Sequence, residues 1–126
     1  MQVSIQSRSF ALTDALRNHV QTRLGFNFSR TSNRVQLIQV RLSDLNGPRG
    51  GIDKRCSINV CMEGLPDVVV EDIQADMYHA IDRAADRAAR TVMRRLALDT
   101  SKQRRHARQQ LQRFSAGLRE NESMSS

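Results

Sequence analysis

Four arginines recur every three to four residues in the segment 76–96, at a spacing that could bind a polyanion. They are Arg83, Arg87, Arg90 and Arg94. At about 100° per residue of an α-helix, they share one side. The opposite side is apolar and carries Ile81, Ala85, Ala88, Val92 and Leu96. Because a guanidinium is planar and permanently charged, it can bind phosphate oxygens through two parallel hydrogen bonds. The segment therefore predicts a helix with one side in a core and one side suited to phosphates.

Two acids on the same helix support a simpler interpretation of these arginines. Asp82 and Asp86 could pair with them, and Asp86 precedes Arg90 by four residues, the order that stabilises a helix. In that case the arginines form a solvated, ion-paired face without a ligand. The rest of the chain favours the binding interpretation.

The charge of the whole chain is strongly positive. Its 126 residues include 20 Lys+Arg against 13 Asp+Glu, which gives a net charge of +7. Eighteen of the cations are arginine, which recognises phosphates and stacked bases better than lysine does. A GC-rich genome would produce the same bias without any function. With four Phe, one Tyr and no Trp, few residues could stack on exposed bases, so contacts to phosphates are favoured over base recognition.

The hydrophobic pattern predicts six elements in the order β-α-β-β-β-α. Strands are predicted at 2–6, 34–45, 54–62 and 67–72, a first helix runs from the N-cap Thr13 to Gly25, and a second helix begins at Asp76. Val35 and Leu37 are out of phase with their strand, which predicts a bulge near Leu37 or burial on both faces. Short turns join the last three strands. The predicted fold class is therefore α+β, with an antiparallel four-stranded sheet and both helices packed on one face.

Further expectations concern the first helix and the cysteines. The first helix buries one narrow stripe and is expected to leave Arg17 and Arg23 free. The two phenylalanines that follow it, Phe26 and Phe28, are expected to pack under the sheet. Cys56 and Cys61 lie five residues apart in a predicted strand, so they should point to opposite faces and remain reduced.

The length and the 39% hydrophobic content suit one modest core. We expect a folded domain at 1–98 and a basic tail at 99–126. Because no apolar run has the length of a signal peptide or a membrane span, the protein is expected to be cytoplasmic and to make no membrane contact.

The tail supplies a second group of cations and has no acid between Thr100 and Gly117. Its candidate RNA-binding residues are Lys102, Arg104, Arg105 and Arg108. Leu111 and Phe114 belong to an apolar set at helical spacing, which permits a basic amphipathic helix formed on binding. A disordered tail that only aids solubility explains the same composition.

Three motifs resemble one known protein family. They are the opening Met1-Gln2, the helix start Thr13-Asp14-Ala15-Leu16-Arg17, and Asp76-Met77-Tyr78-His79-Ala80-Ile81-Asp82 at the start of the last helix. With these motifs the first 96 or so residues resemble the ribosome hibernation factors. That family is also known as ribosome-associated inhibitors, ribosomal subunit interface proteins or sigma-factor modulators. The resemblance implies a double-stranded-RNA-binding-like fold, and we expect a monomeric short form without the dimerisation domain of long members.

The resemblance also implies a function. Such a protein has no catalytic activity and no cofactor, and it occupies the channel of the small ribosomal subunit that messenger and transfer RNA use. Basic residues of both helices would contact ribosomal RNA. Carried over by position, these residues are Arg17 and Arg23 on the first helix and Arg83, Arg87, Arg90, Arg94 and Arg95 on the second. The pair Glu71-Asp72 departs from the family pattern because it brings negative charge to the edge of the sheet.

Other classes of function have less support in the sequence. The three histidines, His19, His79 and His106, are not expected to converge, and no nucleophile accompanies them. The acids that could gather at one sheet edge are Asp67, Glu71, Asp72 and Asp76. Helix capping and edge-strand solubility explain these acids, so no metal site is predicted. The main rival function is a protein-binding regulator whose arginines meet an acidic partner, and an RNA-processing enzyme ranks third.

The glycine-rich segment 46–51 lacks the Gly-Lys-Ser/Thr ending of a nucleotide-binding loop. It is expected to be either a plain long turn or a hairpin tip that touches RNA through Arg49 and Lys54.

Overall fold

The computed structural model describes residues 1–45 and 52–125, with side chains described as far as Arg113. The predicted order β-α-β-β-β-α is confirmed. The elements are β1 (Gln2–Arg8), α1 (Asp14–Asn27), β2 (Val35–Asp44), β3 (Lys54–Met62), β4 (Val68–Gln74) and α2 (Met77–Ser125). The segment 46–51, including Arg49, lies outside the described residues, so its predicted role stays a prediction.

The four strands form one mixed sheet in the order β1-β2-β3-β4. β2, β3 and β4 pair antiparallel, as their short connections predict. The prediction of a purely antiparallel sheet is wrong, because β1 pairs parallel with β2. The cause is α1, which lies between these strands and returns the chain to the end of the sheet where β1 begins. The register of β2 shifts between Val35 and Leu37, which agrees with a bulge near Leu37, the first of the two predicted alternatives.

One face of the sheet supplies half of the core. Ile38 and Val40 of β2 align with Val60 and Ile58 of β3, and all four side chains are buried. The helices bury one side each. The buried residues of α1 are Leu16, Val20 and Leu24, and those of α2 are Met77, Ala80, Ile81, Ala84, Ala85, Ala88, Ala89 and Val92. Among residues 1–93, this arrangement leaves the opposite face of the sheet without a helix.

α1 begins where the sequence predicts and ends later than predicted. Thr13 Oγ1 accepts a hydrogen bond of 3.2 Å from the Leu16 amide, an N-cap that stabilises a helix by about 1 kcal/mol. The helix continues past Gly25 and ends at Asn27, so the prediction that Gly25 ends it is wrong. The amide of the C-cap residue Phe28 continues the helical hydrogen-bond pattern.

The two phenylalanines after the predicted helix end differ in burial. Phe28 follows Leu24 by four residues and is fully buried with it. Phe26 lies two residues away from either, on another side of the helix, and is 75% exposed. The prediction that both rings pack under the sheet is therefore wrong for Phe26.

α2 is capped by Asp76, as predicted, because Asp76 Oδ1 accepts a hydrogen bond of 3.2 Å from the Tyr78 amide. The chain forms two compact units, Met1–Met93 and Arg94–Ser126, and residues of α2 belong to both. The boundary expected after residue 98 stays a prediction. Within the described ranges, no helix is both long enough and apolar enough to cross a bilayer.

Candidate nucleic-acid interface

The cationic side of α2 is exposed and lies opposite its buried side. In the part of α2 that belongs to the first unit, the exposed arginines are Arg83, Arg87 and Arg90. The buried positions on the opposite side include Ile81, Ala85, Ala88 and Val92. The amphipathic division that the sequence predicts is therefore present. We call these three arginines the helix arginines.

Two of the helix arginines contact an acid of the edge strand β4. Arg83 Nε lies 3.4 Å and Arg87 Nη1 lies 3.5 Å from Asp72 Oδ2 of β4. Arg87 Nη1 also donates a hydrogen bond of 2.7 Å to the backbone carbonyl of Glu71. The side chains of Arg83 and Arg87 remain 56% and 52% exposed. Since each guanidinium has five N–H donors, most donors stay accessible to a ligand.

The surroundings of Asp72 keep its carboxyl group ionised. Its side chain is only 7% exposed, and burial by itself raises the pKa of a carboxyl group. A hydrogen bond from Gln74, a hydrogen bond from Arg83 and the charges of Arg83 and Arg87 outweigh burial, so the pKa of Asp72 is lowered from its ordinary value. Gln74 Nε2 donates to Asp72 Oδ1 at 2.6 Å. Asp72 is therefore a fixed negative charge that positions two arginines.

Asp82 and Asp86 of α2 pair with residues of α1 rather than with the arginines of their own helix. Arg23 Nη2 lies 3.1 Å from Asp86 Oδ1, and Arg23 Nε lies 3.7 Å from Asp82 Oδ1. Asn27 Nδ2 donates to Asp86 at 3.0 Å, and His19 Nε2 lies 2.7 Å from Asp82 Oδ1. The expectation that Arg23 is free is therefore wrong. Pairing within α2, which the simpler interpretation of the arginines assumed, is replaced by contacts between the helices.

Among the candidates up to residue 95, three cations have no ion pair and no side-chain hydrogen bond within the part of the chain that the structure describes. They are Arg17, Arg90 and Arg94, all exposed. Helical geometry places Arg17 about 120° around α1 from Arg23, on the flank away from α2. Arg95, in contrast, is half-buried and has an interaction partner. Of the candidates up to residue 95, Arg17, Arg90 and Arg94 are therefore the best able to take an anion.

The second unit, Arg94–Ser126, carries the remaining candidates on a helical backbone. Lys102, Arg104, Arg105 and Arg108 are exposed, and their RNA-binding role stays a prediction. At helical spacing they cover roughly half of the circumference, and Leu111 lies outside that half. The Leu111 side chain is 66% exposed.

Lys54 is engaged within the domain. Its Nζ lies 2.8 Å from Asp44 Oδ2 and 3.3 Å from Asp53 Oδ1. The hydrogen bond to Asp44 raises the pKa of Lys54, desolvation opposes that rise, and Asp53 adds to it. With two acids beside it, Lys54 is a weaker candidate for RNA contact than an arginine without a partner.

The described cysteines and acids are the residues that could form a metal centre or supply a nucleophile. Among the described residues, no group of three or more His, Cys, Asp or Glu side chains could hold a metal ion. Cys56 and Cys61 are free thiols. Burial and the charge of Asp72 raise the pKa of Cys56 to about 12, and desolvation and Asp67 raise the pKa of Cys61. A thiol with a raised pKa is a poor nucleophile at neutral pH.

Asp72, which positions Arg83 and Arg87, is not among the candidate residues predicted from the sequence. The signal for it is the alternation of β4, where Val68, Val70 and Asp72 share the buried side. That phase directs Asp72 toward the helices, whereas Glu71 lies on the exposed face. The alternation predicts the direction of the side chain but not its partners.

Comparison with known proteins gives a family match and similar solved structures. Residues 3–97 match the family described as Sigma 54 modulation protein / S30EA ribosomal protein. The N-terminal domain of Protein Y from Thermus thermophilus is 33% identical, with a TM-score of 0.62 over 75% of this chain and 98% of that chain. A ribosomal subunit interface protein from Coxiella burnetii is 15% identical, with a TM-score of 0.67 over 77% of this chain and 99% of that chain, which is a likeness of fold alone. Comparison with curated proteins gives no significant match.

Proposed function

This chain belongs to the Sigma 54 modulation protein / S30EA ribosomal protein family, and we propose that it is a non-enzymatic factor that binds the small ribosomal subunit in the cytoplasm. It occupies the RNA channel of that subunit and contacts ribosomal RNA through the basic residues of both helices. By filling the channel it excludes messenger and transfer RNA, and so inhibits or stabilises idle ribosomes. The mechanism is steric and requires no bond to be made or broken.

The observation that carries this proposal is the set of exposed arginines without an internal partner. In a chain of net charge +7, Arg17 and Arg90 have no ion pair within the described residues. A guanidinium without an intramolecular partner does not have to break a contact within the protein before it binds a phosphate. Such contacts supply salt-dependent affinity without base specificity, as a factor that reads RNA shape requires.

Arg83 and Arg87 support the same function in another way. Asp72 holds both guanidinium groups beside β4, so less rotamer freedom is lost when they bind. One carboxylate against two guanidinium groups leaves a net positive charge at this position. The pair can therefore act as a preformed phosphate contact beside the freer Arg90.

The test is sedimentation with purified ribosomal subunits. Wild-type protein should co-migrate with small subunits through a sucrose gradient and should remain at the top with large subunits alone. Arg90→Gln should weaken binding by roughly fivefold, the upper range for one exposed charge contact. The matched control is Arg30→Gln, which removes the same charge from an exposed residue in the turn after α1.

Two outcomes would contradict the proposal. Wild-type protein that fails to co-migrate with purified small subunits cannot occupy their channel. Equal losses for Arg90→Gln and Arg30→Gln would mean that affinity follows net charge alone and that the helix arginines form no interface. Binding that requires an added protein would instead support the acidic-partner alternative.

A further inference from the structure

The face of the sheet opposite to the helices carries three arginines from three adjacent strands. They are Arg8 of β1, Arg41 of β2 and Arg55 of β3, and we call them the sheet arginines. Their position follows from strand alternation, because the next residues along β2 and β3, Leu42 and Cys56, are buried on the core side. The sheet arginines are thus separate from the helical surface.

The strand register brings the sheet arginines together. Arg8 and Arg55 both pair with Ser43 and flank it on its two sides. Because neighbouring strands lie about 4.8 Å apart, the Cα atoms of Arg8 and Arg55 are separated by roughly 10 Å. Arg41 precedes Ser43 by two residues on the same face, about 7 Å along the strand. Three long side chains at these separations can converge on the same phosphate or on two successive ones.

A surface cavity of about 340 Å³ lies at the sheet arginines. All three arginines line it, together with Gln6 and Ser43, which add neutral hydrogen-bonding groups. No carboxylate belongs to the described lining. The volume greatly exceeds the share of about 30 Å³ that one water molecule occupies in the liquid, so a phosphate with part of its sugar can enter.

The charges of the sheet arginines are poorly compensated. Arg8 and Arg41 have no ion pair or side-chain hydrogen bond to any described residue. Arg55 has one ion pair, with Glu71 at 4.0 Å, a separation too long for a hydrogen bond. In addition, Arg55 Nε is shielded from solvent and has no hydrogen-bond partner among the described atoms. Arg8 and Arg41 are exposed and the Arg55 side chain is 39% exposed, so a ligand can reach all three cations. Because cations that lie close together repel one another, this group favours an anionic ligand.

We propose that the sheet arginines form a second anion-binding site, which takes backbone phosphates of an RNA segment that the helices do not contact. The choice of RNA as the polyanion rests on the proposed function, whereas the site itself rests on the register, the cavity and the unpartnered donors. Guanidinium groups spread over roughly 10 Å suit successive phosphates of one strand better than a single small anion. The domain would then bind RNA on its helical layer and on the open face of its sheet, and could lie between two RNA segments.

The first test observes the site directly in the full chain. Arginine Nε–Hε resonances are followed by NMR during titration with single-stranded hexauridylate, and separately with inorganic phosphate at the same phosphate concentration. We expect the resonances of Arg8, Arg41 and Arg55 to shift and saturate with the RNA while inorganic phosphate leaves them nearly unchanged. The absence of a shift with RNA, or equal shifts with both ligands, would overturn the proposal.

The second test compares two variants of equal charge, Arg41→Gln and Arg30→Gln, in their binding to purified small subunits. Arg41→Gln should reduce the slope of log affinity against log salt by about 0.7 to 0.9, the contribution of one phosphate contact. Arg30→Gln should leave the slope unchanged, and equal slopes for the two variants would overturn the proposal. If wild-type protein binds no subunits but RNA still shifts the sheet arginines, the function proposed above fails and this site stands.

Discussion

Asp72 is a buried charge of the first unit that stabilises the contact between α2 and β4. Its carboxylate contacts Arg83 and Arg87 and ties α2 to β4. Because the pKa of Asp72 is lowered in the folded protein, ionisation of this group favours folding. That contribution is fully present above the ordinary pKa of 3.8 and is lost as the pH falls through the lower folded value.

Asp72→Asn should therefore lower the free energy of unfolding at pH 7 by about 1–3 kcal/mol, because two arginines lose a charged partner. Between pH 5 and pH 2 the variant should lose less stability than wild type, since one carboxylate with a lowered pKa is missing. Urea denaturation at several pH values measures both effects.

The matched control for Asp72 is its neighbour Glu71. The Glu71 side chain is 50% exposed and lies 4.0 Å from its arginine partner, so Glu71→Gln should change stability by no more than about 0.5 kcal/mol. Equal losses for Asp72→Asn and Glu71→Gln would show that Asp72 does not hold Arg83 and Arg87 in place.

At the scale of elements, the contact between α1 and α2 depends on Arg23 and Asp86. The ion pair of 3.1 Å is only partly exposed, and Asn27 donates to the same carboxylate. A double-mutant cycle with Arg23→Gln and Asp86→Asn should give a coupling energy of about 0.5–1 kcal/mol in denaturation experiments, near the upper end for partly exposed pairs.

A second double-mutant cycle, between Arg90 and Asp86, tests whether Asp86 pairs within α2 or with Arg23 of α1. Arg90 follows Asp86 by four residues, but the described structure gives it no ion pair. We therefore expect a coupling below about 0.3 kcal/mol between Arg90→Gln and Asp86→Asn. If Asp86 couples to Arg90 more strongly than to Arg23, the acids of α2 stabilise their own helix and the contact between the helices is secondary.

Most of the elements are predictable from the sequence because each has its own periodicity. The alternation of Ile38, Val40 and Leu42 predicts β2 and its buried face, and Thr13 predicts the start of α1. The parallel pairing of β1 is not predictable from β1 itself, since it depends on the connection through α1. Gly25 misleads because a glycine ends a helix only where the backbone needs its conformation.

The candidate site was less predictable than the fold for a similar reason. Helical spacing predicts that Arg83, Arg87 and Arg90 lie on the exposed side of α2, and they do. It says nothing of which acids face them, because Asp72 and Arg23 come from other elements. Partners across a core depend on how elements pack, and packing is a property of the whole chain.

At the scale of the molecule, positive charge occurs on the helices, on the open face of the sheet and in the second unit. Residues 99–126 hold six cations against three acids, a large part of the net charge of +7. The residues of the buried core end at Val92 within the described chain. The cations of the tail can therefore be removed without removing core residues.

Truncation after Leu98 should leave a domain that unfolds cooperatively, because its buried residues are all retained. The truncated protein should bind small subunits more weakly than the full chain and with a shallower dependence on salt. Each phosphate contact that is lost reduces the slope of log affinity against log salt by about 0.7 to 0.9. Binding isotherms at several salt concentrations measure this difference.

A full-length variant separates the charge of the tail from its length. In it, Lys102, Arg104, Arg105 and Arg108 are all replaced by glutamine, so the tail is present but loses most of its cations. If the tail acts through phosphate contacts, this variant should reproduce the shallower slope of the truncated protein. If the truncated protein and the glutamine variant both bind small subunits with the affinity and the salt dependence of the wild type, the tail does not contribute to binding. Loss of cooperative unfolding on truncation would instead mean that the folded domain extends beyond residue 98.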